Sequence, residues 1–389
     1  MCKQKVDVEG STASTESTGD PPLSKFDLFI KQSPSIPGHS MEFVHPKEIP
    51  WFDHNLLQNG MDFVRNNYFS VLLSNFIGGF LMITGKNIGG ESLFRRGSIT
   101  TPSASFLRIL KTTDRFMHWY SSDVSQDGSE GFRAVKTVRR LHQLYGEPKE
   151  KGVIPDAEFA SHFTPETTQR VQIMRAELEN IVDKTVAPYA LLTHELPYSF
   201  SQFTVALNQL SLITTLLLFP DLVGLNDSED LRGYCHFLAV LGRMLGLEDR
   251  FNIALSNDID LMKGIFCNVI VASWQKIEET NVQLNEIFVQ GVNANILLPS
   301  FMKIQVELFL LMLLKGMGAG RKVFHDKLNF FNKLYWAMLI STCWLIRKSL
   351  ILKIVVNNFT RLFVWILTNA YLRDKSKYQP KCRNGCPFG

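Results

Sequence analysis

The stretch SASFLRILKTTDRFMHWY (103–120) places apolar side chains three and four residues apart. The stretch GFRAVKTVRRLHQLYG (131–146) repeats this spacing and ends at Gly146, a residue type that is common just after a helix. Apolar residues at this period form one face of an amphipathic helix, whereas a half-buried strand would alternate apolar and polar residues. The two stretches therefore predict two amphipathic helices in succession.

The rest of the chain carries helical signals of the same kind. Thr164 before Pro165 is an N-cap followed by proline at the first helical position, and it predicts a helix that runs to about Asp183. The polar run at residues 226–230 opens another helix, which ends near Gly246. Further segments without strand alternation are residues 200–218, 258–278, 296–316 and 326–372. We therefore predict an all-α protein folded as a helical bundle.

Composition divides the chain into three parts. Residues 1–40 are rich in Ser, Thr, Pro, Gly and charge, so they cannot bury enough apolar surface and are predicted to be disordered. Residues 41–330 are predicted to form the main folded domain. Residues 331–389 form an apolar and basic C-terminal region. Of the 389 residues, 45% are hydrophobic, which is enough for a large core.

Two regions are apolar enough to suggest a membrane. Residues 66–85 carry no charge, but several Asn and Ser residues and a Gly-Gly pair dilute them, which favours a buried core helix over a spanning one. In the C-terminal third, isolated charges suit either buried amphipathic helices or helices in a membrane interface. After Ile346 the basic residues, against only Asp374, are Arg347, Lys348, Lys353, Arg361, Arg373, Lys375, Lys377, Lys381 and Arg383. This basic tail is typical of a protein that contacts a membrane surface.

Several function classes lack their signatures. The net charge of +4 gives no support to nucleic-acid binding. The chain has no phosphate loop, dinucleotide fingerprint, HExxH motif or nucleophile elbow. The first residues have no apolar core, so no secretory signal peptide is predicted. Cys382 and Cys386 could form half of a zinc site, but the second pair of ligands is missing.

Histidine-centred chemistry remains, and of the nine histidines His142 has the most suitable neighbours. It lies among apolar residues of the predicted helix over 131–146 and can face the interior. Haem iron takes a neutral imidazole from a helix in apolar surroundings. Arg139 and Arg140, within one turn, could pair with haem propionates or could form a solvated face. His236 is a rival that begins a helix, where a histidine more often hydrogen-bonds locally.

Arg108 and Thr112 form a second candidate element. They are four residues apart and therefore share one face of the predicted helix. A guanidinium and a hydroxyl that enter one pocket could orient a carboxylate, a propionate or bound oxygen. The alternative is an ordinary surface pair.

Taken together, these elements resemble a known family. An Arg-x-x-Lys-Thr helix (108–112) followed by Val-Arg-Arg-Leu-His (138–142) resembles the catalytic domain of the rubber oxygenase or latex-clearing protein family. The fungal oxygenase of the endoplasmic reticulum that cleaves a farnesyl side chain belongs to the same broad family. The stretches at 208–220 and 233–252 resemble its next blocks, so the resemblance covers about residues 45–330.

The resemblance implies a globin-like core that encloses one non-covalent haem b. By position His142 would be the iron ligand. The residues that would line the haem pocket and take part in catalysis are Arg108, Lys111 and Thr112. A carboxylate upstream of Arg108 would act as a base, and Glu91 is the nearest candidate. Leu238 stands where the family has a tryptophan, which leaves the shape of the pocket open.

Two functions follow as hypotheses. The first is a haem-dependent oxygenase that uses O2 to cleave a C=C bond of an isoprenoid or another small hydrophobic substrate. The second is a catalytically inactive protein of the same fold that binds haem or lipid. We expect association with a membrane, by resemblance the endoplasmic reticulum, with a cytoplasmic protein as the alternative. The sequence gives no indication of the oligomeric state.

Overall fold

The computed structural model describes residues 24–86, 88, 101–145, 163–179, 181, 198, 200–226, 230–295, 299–319 and 322–372. These residues are mostly helical, and they form no strand beyond isolated bridge positions such as the antiparallel pair Pro37 and Ser201. The predicted all-α class is therefore confirmed.

The longer helices in chain order are α1 (Lys25–Gln32), α2 (His54–Asn66), α3 (Tyr68–Thr84), α4 (Pro102–Ser121), α5 (Glu130–Tyr145), α6 (Pro165–Leu178), α7 (Gln202–Leu218), α8 (Arg232–Leu245), α9 (Ile259–Ile265), α10 (Glu279–Asn295), α11 (Val306–Gly316), α12 (Lys322–Lys327), α13 (Phe330–Lys348) and α14 (Leu350–Leu372). Helix α9 continues as a π-helical segment, Phe266–Val271, and a last turn, Ala272–Gln275. Single turns lie at Pro220–Val223 and Ile253–Ser256.

Two close helix crossings form the centre of the bundle. Helix α3 packs along α7, and α2 packs along α8. At the first crossing a side chain on Gly78 would collide with the Ser211 carbonyl, and at the second a side chain on Gly60 would collide with Gly233. Glycine is required at these points because the two backbones touch. The uncharged segment at 66–85 is thus a buried core helix, as its composition predicts.

The predicted disorder of residues 1–40 is wrong for the part that the structure describes. Ser24 caps α1 by accepting a hydrogen bond from the Asp27 amide at 3.0 Å. Phe29 and Ile30 are buried, and Phe29 packs against Phe203 with ring centroids 5.3 Å apart. The apolar residues of α1 gain enough burial against α7 to order this segment, although its flanking composition is polar.

The C-terminal region is part of the bundle on one side and open on the other. Helix α14 packs against α3 and α4, and α13 packs against α14 and the turn at 220–223. Within the described residues, α14 is the one helix that by length and composition could cross a membrane alone. Helices α2 and α3 pass the same test as a pair bent by 93°, but α3 is mostly buried.

Candidate functional site

A cavity of about 800 Å³ lies inside the bundle. Its walls come from α3, α4, α5, α7, α8, α10, α11, α13 and α14. This volume is within the usual range for sites that bind small molecules or cofactors. The cavity brings the two helices that decide the fold class, α4 and α5, to one surface.

Most polar groups on the cavity wall are already hydrogen-bonded to backbone. Asn208 donates to the Thr204 carbonyl at 2.9 Å, and Tyr335 donates to the Met302 carbonyl at 3.0 Å. The Thr113, Ser211 and Thr360 hydroxyls bind carbonyls of their own helices. With these groups satisfied, the wall is apolar apart from a stretch formed by α4 and α5.

His142 is the polar residue that α5 contributes to the cavity. Helix α5 is fixed by Val135 and Val138, which are buried where it meets α8. The ring of His142 lies 4.1 Å from that of Phe200, and its buried Nδ1 has no hydrogen-bond partner. An unpaired buried nitrogen costs free energy that a bound ligand can return.

His142 is a neutral imidazole at physiological pH. Burial first, and then the positive charges of the nearby Arg108 and Arg115, lower its pKa from 6.5 to about 3. A neutral ring with an unpaired nitrogen is the form that binds a metal ion. His142 therefore has the state required of an axial haem ligand.

Besides Thr113, whose hydroxyl is bonded within the helix, α4 presents Arg108, Thr112, Arg115 and Trp119 to the same cavity. They are spaced by four, three and four residues, so they follow one face of the helix. The Thr112 hydroxyl donates to the Arg108 carbonyl at 3.1 Å. The Trp119 indole N–H is buried and has no acceptor. This face can hold anionic or oxygen-bearing groups of a ligand.

The charged side chains on this face of α4 can bind carboxylate groups. Among the described residues that line the cavity, Arg108 and Arg115 are the charged ones, and none is acidic. Guanidinium groups bind carboxylates through paired hydrogen bonds. The residues present thus fit a haem: one imidazole for the iron and two cations on α4 for the propionates.

The structure separates the predicted site residues into two groups. Arg108, Thr112 and His142 meet at the cavity. Lys111 is exposed and does not line it, because it lies on the other side of α4 from the cavity.

Arg139 also differs from its predicted role. It is buried and donates to the carbonyls of Met244, at 3.1 Å, and Met41, at 2.5 Å. The Met244 carbonyl lies at the C-terminus of α8, where a helix end attracts a cation. Arg139 therefore ties α5 to α8 and supports the position of His142, while Arg140 is exposed.

His236, the rival ligand, does not line the cavity. Its Nε2 accepts a hydrogen bond from the Asp53 amide at 3.1 Å, and its ring packs edge-on against Trp51. The predicted local bonding is thus wrong, since the donor lies 183 residues away in the chain, but the ring is occupied outside the cavity and His236 is not a rival ligand there. Leu238 does line the cavity. It occupies the position at which the rubber oxygenase family, which this sequence resembles, has a tryptophan.

Among the cavity residues that the sequence analysis did not single out, three bear on the site: Arg115, Trp119 and Phe200. Arg115 and Trp119 continue the spacing that begins at Arg108, so the same helical argument could have included them. Phe200 could not have been found, since nothing in the sequence places it beside His142. The remaining candidates Glu91, Cys382 and Cys386 lie outside the described residues.

Among the residues that the structure describes, no group of three or more His, Cys, Asp or Glu side chains could hold a metal ion. A haem needs only one axial ligand from the protein, so this observation does not bear on it. Comparison of the chain with protein-family models, curated proteins and solved structures gave no match. The family resemblance therefore depends on the motifs quoted above.

Proposed function

We propose that this protein is a haem-b-dependent oxygenase that cleaves a C=C bond of an isoprenoid or another lipid with O2. The observation that carries the proposal is His142, a half-buried neutral imidazole whose buried Nδ1 is unpaired, on the wall of a large apolar cavity. Buried polar atoms in proteins usually have hydrogen-bond partners, so an unpaired nitrogen on a residue that lines a cavity favours a bound ligand.

The division of labour follows from the site. Haem iron, when bound, would bind and activate O2. His142 would hold the group from the α5 side, and its low pKa keeps it unprotonated throughout the physiological range. Arg108 and Arg115 would bind the propionates. The apolar walls would exclude water and hold an alkene, which with one O2 would give two carbonyl products.

Thr112 and Trp119 are candidates for orienting oxygen atoms in the cavity. The Thr112 proton is committed to the Arg108 carbonyl, so its oxygen remains an acceptor. The Trp119 indole can only donate. The two side chains therefore offer complementary contacts along one face of α4, and Lys111 takes no part in the proposal.

A second candidate function is binding of haem or lipid without turnover. No acidic side chain lines the cavity in the described part of the chain, so the wall there offers no carboxylate as a general base. The apolar wall also reaches α13 and α14, whose outer faces are exposed. These features suit a lipid carrier, and the absence of product with a haem-loaded protein would favour it.

We further propose that the protein associates with a membrane. Helix α14 has a mean hydropathy of 1.7 over its most apolar window, of which 11% is buried. The basic residues beside it suit an anionic cytoplasmic leaflet. The endoplasmic reticulum is the location suggested by the family resemblance, and full recovery of detergent-free monomer from the soluble fraction would instead indicate a cytoplasmic protein.

An absorption spectrum tests the haem proposal. The full-length protein, purified in mild detergent and incubated with haemin, should show a Soret band with stoichiometric haem. His142→Phe should lose the haem, because it removes the ligand but keeps the ring against Phe200. His118→Ala and His325→Ala change histidines that contact acidic side chains away from the cavity, and they should retain haem. An unchanged spectrum in His142→Phe would refute the assignment.

A further inference from the structure

Helix α14 buries two polar residues and exposes most of its apolar ones. Its buried residues are Asn357, Val364 and Thr368. Asn357 accepts a hydrogen bond from the Phe69 amide at 2.9 Å and donates to the Asn66 carbonyl at 2.7 Å, where α2 and α3 meet. The exposed large residues of α14 are Leu350, Ile351, Leu352, Ile354, Val355, Phe359, Leu362, Phe363, Trp365 and Ile366. Exposing so many apolar side chains to water is unfavourable, so this face is suited to contact with an apolar phase.

Two residues of α14 belong both to this outer face and to the cavity. Phe359 is 67% exposed and Phe363 is 46% exposed, and both line the cavity. Their rings lie 6.3 Å apart at an angle of 12°. The pair therefore stands at the point where the cavity wall becomes the outer surface.

Helix α13 extends the same exposed face. Met338 is 57% exposed and Trp344 is 57% exposed, while Trp336 and Leu339 line the cavity. Indole side chains such as those of Trp344 and Trp365 are enriched at the boundary between lipid and water. Adjacent helices α13 and α14 thus both expose apolar side chains, and each includes an exposed indole.

The charged side chains of helices α13 and α14 are all positive. Residues 330–372 contain Lys333, Arg347, Lys348, Lys353 and Arg361 and no Asp or Glu. Arg347 is paired with Asp221, whereas Lys333 and Lys348 are exposed. Exposed lysines beside an apolar face complement a bilayer that contains anionic lipids. A protein partner of ordinary composition would not require this combination.

We propose that the α13–α14 face lies in the interface of an anionic bilayer and that the cavity takes its ligand sideways from the acyl-chain region, past Phe359 and Phe363. The ligand class is a lipophile dissolved in the membrane, not a water-soluble metabolite. This inference rests on the proposed function only in treating the cavity as a ligand site, and it does not depend on haem.

Tryptophan quenching tests the docking surface. The full-length protein is mixed with phosphatidylcholine–phosphatidylserine vesicles whose acyl chains carry bromine, which quenches nearby indoles. Quenching should be strong and should decrease in Trp344→Phe and in Trp365→Phe. Trp274→Phe is the matched control, because Trp274 is fully buried and donates to the Leu81 carbonyl. Equal quenching in all variants, or none, would overturn the proposal.

Transfer of a fluorescent isoprenoid tests the entry route. In a protein that carries Trp344→Phe and Trp365→Phe, so that no exposed indole of α13 or α14 faces the bilayer, retinol in the same vesicles, without bromine, should enter the cavity and accept energy from Trp119 and Trp336. Phe359→Glu and Phe363→Glu place a carboxylate at the mouth and should slow uptake by about tenfold or more. Leu350→Glu and Ile351→Glu are matched controls on the same helix, away from the cavity, and should take up retinol at the rate of wild type once vesicle-bound.

Further measurements keep the test decisive if a glutamate variant folds poorly. Phe359→Ala widens the mouth and should accelerate uptake, whereas unchanged rates in both kinds of variant would overturn the entry route.

A lipid-free dimer that shields Trp344 and Trp365 and does not bind vesicles would show that a second copy covers the face. Haem content is measured on the same samples. Uptake that depends on Phe359 in a protein without a Soret band would refute the haem proposal and leave the entry route standing.

Discussion

Helices α7 and α14 are both apolar, yet they occupy opposite environments. In α7 every residue except Asn208, Leu212 and Leu217 is buried. In α14 only Asn357, Val364 and Thr368 are buried. The hydrophobic content of a helix thus does not determine whether protein covers it.

Both helices bury hydrogen-bonded polar groups, and they differ in whether protein also covers the opposite face. In α7 the buried Gln209 donates to the Leu238 carbonyl and to Asn252, both at 2.9 Å. Its amide is therefore hydrogen-bonded even though the residues around it are apolar. In α14 Asn357 is satisfied by backbone groups of the bundle, and the opposite face carries only isolated polar residues. A helix of the second kind is held by a few polar contacts and presents its hydrophobic surface outward.

The largest predicted effect separates the two helices directly. Leu210→Ala in α7 removes a fully buried side chain and should lower the free energy of unfolding by about 2–5 kcal/mol. Ile351→Ala in α14 removes a side chain that is 74% exposed and should change it by less than about 0.5 kcal/mol. Chemical denaturation in mild detergent measures both. Similar losses would show that α14 is covered within the protein.

The next largest effect concerns the attachment of α14. Asn357→Leu leaves the Phe69 amide and the Asn66 carbonyl without partners and should cost about 2 kcal/mol or more. Asn358→Leu changes the exposed neighbour and should have little effect on unfolding. If the two variants unfold alike, then Asn357 does not anchor the helix. Such substitutions are cleaner than deletion of residues 330–389, which would remove a wall of the cavity.

A pH effect of similar size tests His142 in the haem-free protein. Its folded pKa of about 3 lies below the ordinary value of 6.5, so the unfolded chain binds the proton first as the pH falls. The stability contribution is complete above pH 6.5 and is lost progressively down to about pH 3. Between pH 7 and pH 5 the loss should be about 2 kcal/mol.

His142→Phe is the control for this titration, since other histidines contribute equally to both proteins. The variant should have a flatter dependence of unfolding free energy on pH. It should also be more stable at pH 5 than wild type, because it has neither the buried imidazole nor its unpaired nitrogen. Parallel pH curves for the two proteins would mean that His142 is hydrated in the cavity.

The smallest effect concerns the charged rim of the exposed face. Lys333→Ala and Lys348→Ala should each weaken binding to phosphatidylserine-containing vesicles by about 1 kcal/mol, or roughly fivefold. The loss should disappear at high salt, where screening shortens the range of the attraction. Lys111→Ala, which changes an exposed lysine on α4, is the control and should bind as wild type. Vesicle sedimentation measures all three.

Local signals in the sequence predicted much of the helical framework. The stop at Gly246 is present with φ of 108°, and the Thr164 cap on α6 is present, although α6 ends at Leu178 and not near Asp183. The predicted segment 326–372 is divided at Ser349, which caps the end of α13. Caps and periodicity depend on neighbours within a few residues, and these are the features that a single sequence contains.

The site was predicted only in part because its geometry depends on distant contacts. The helical period placed Arg108 and Thr112 on one face, but it could not show which face meets the cavity or that Lys111 is outside. The role of Arg139 depends on a carbonyl 105 residues away. Whether the outer face of α14 meets protein or lipid is likewise not a local property.

The attachment of α14 through Asn357 also constrains how fast the cavity can exchange its contents. Departure of the whole helix would break both amide hydrogen bonds, and collective helix motions of this size take microseconds to milliseconds. The exposed rings of Phe359 and Phe363 can change rotamer in picoseconds to nanoseconds. The mouth can therefore open and close many times while the helix stays in place. Fluorescence lifetimes of a bound probe should then report rapid local motion against a static backbone.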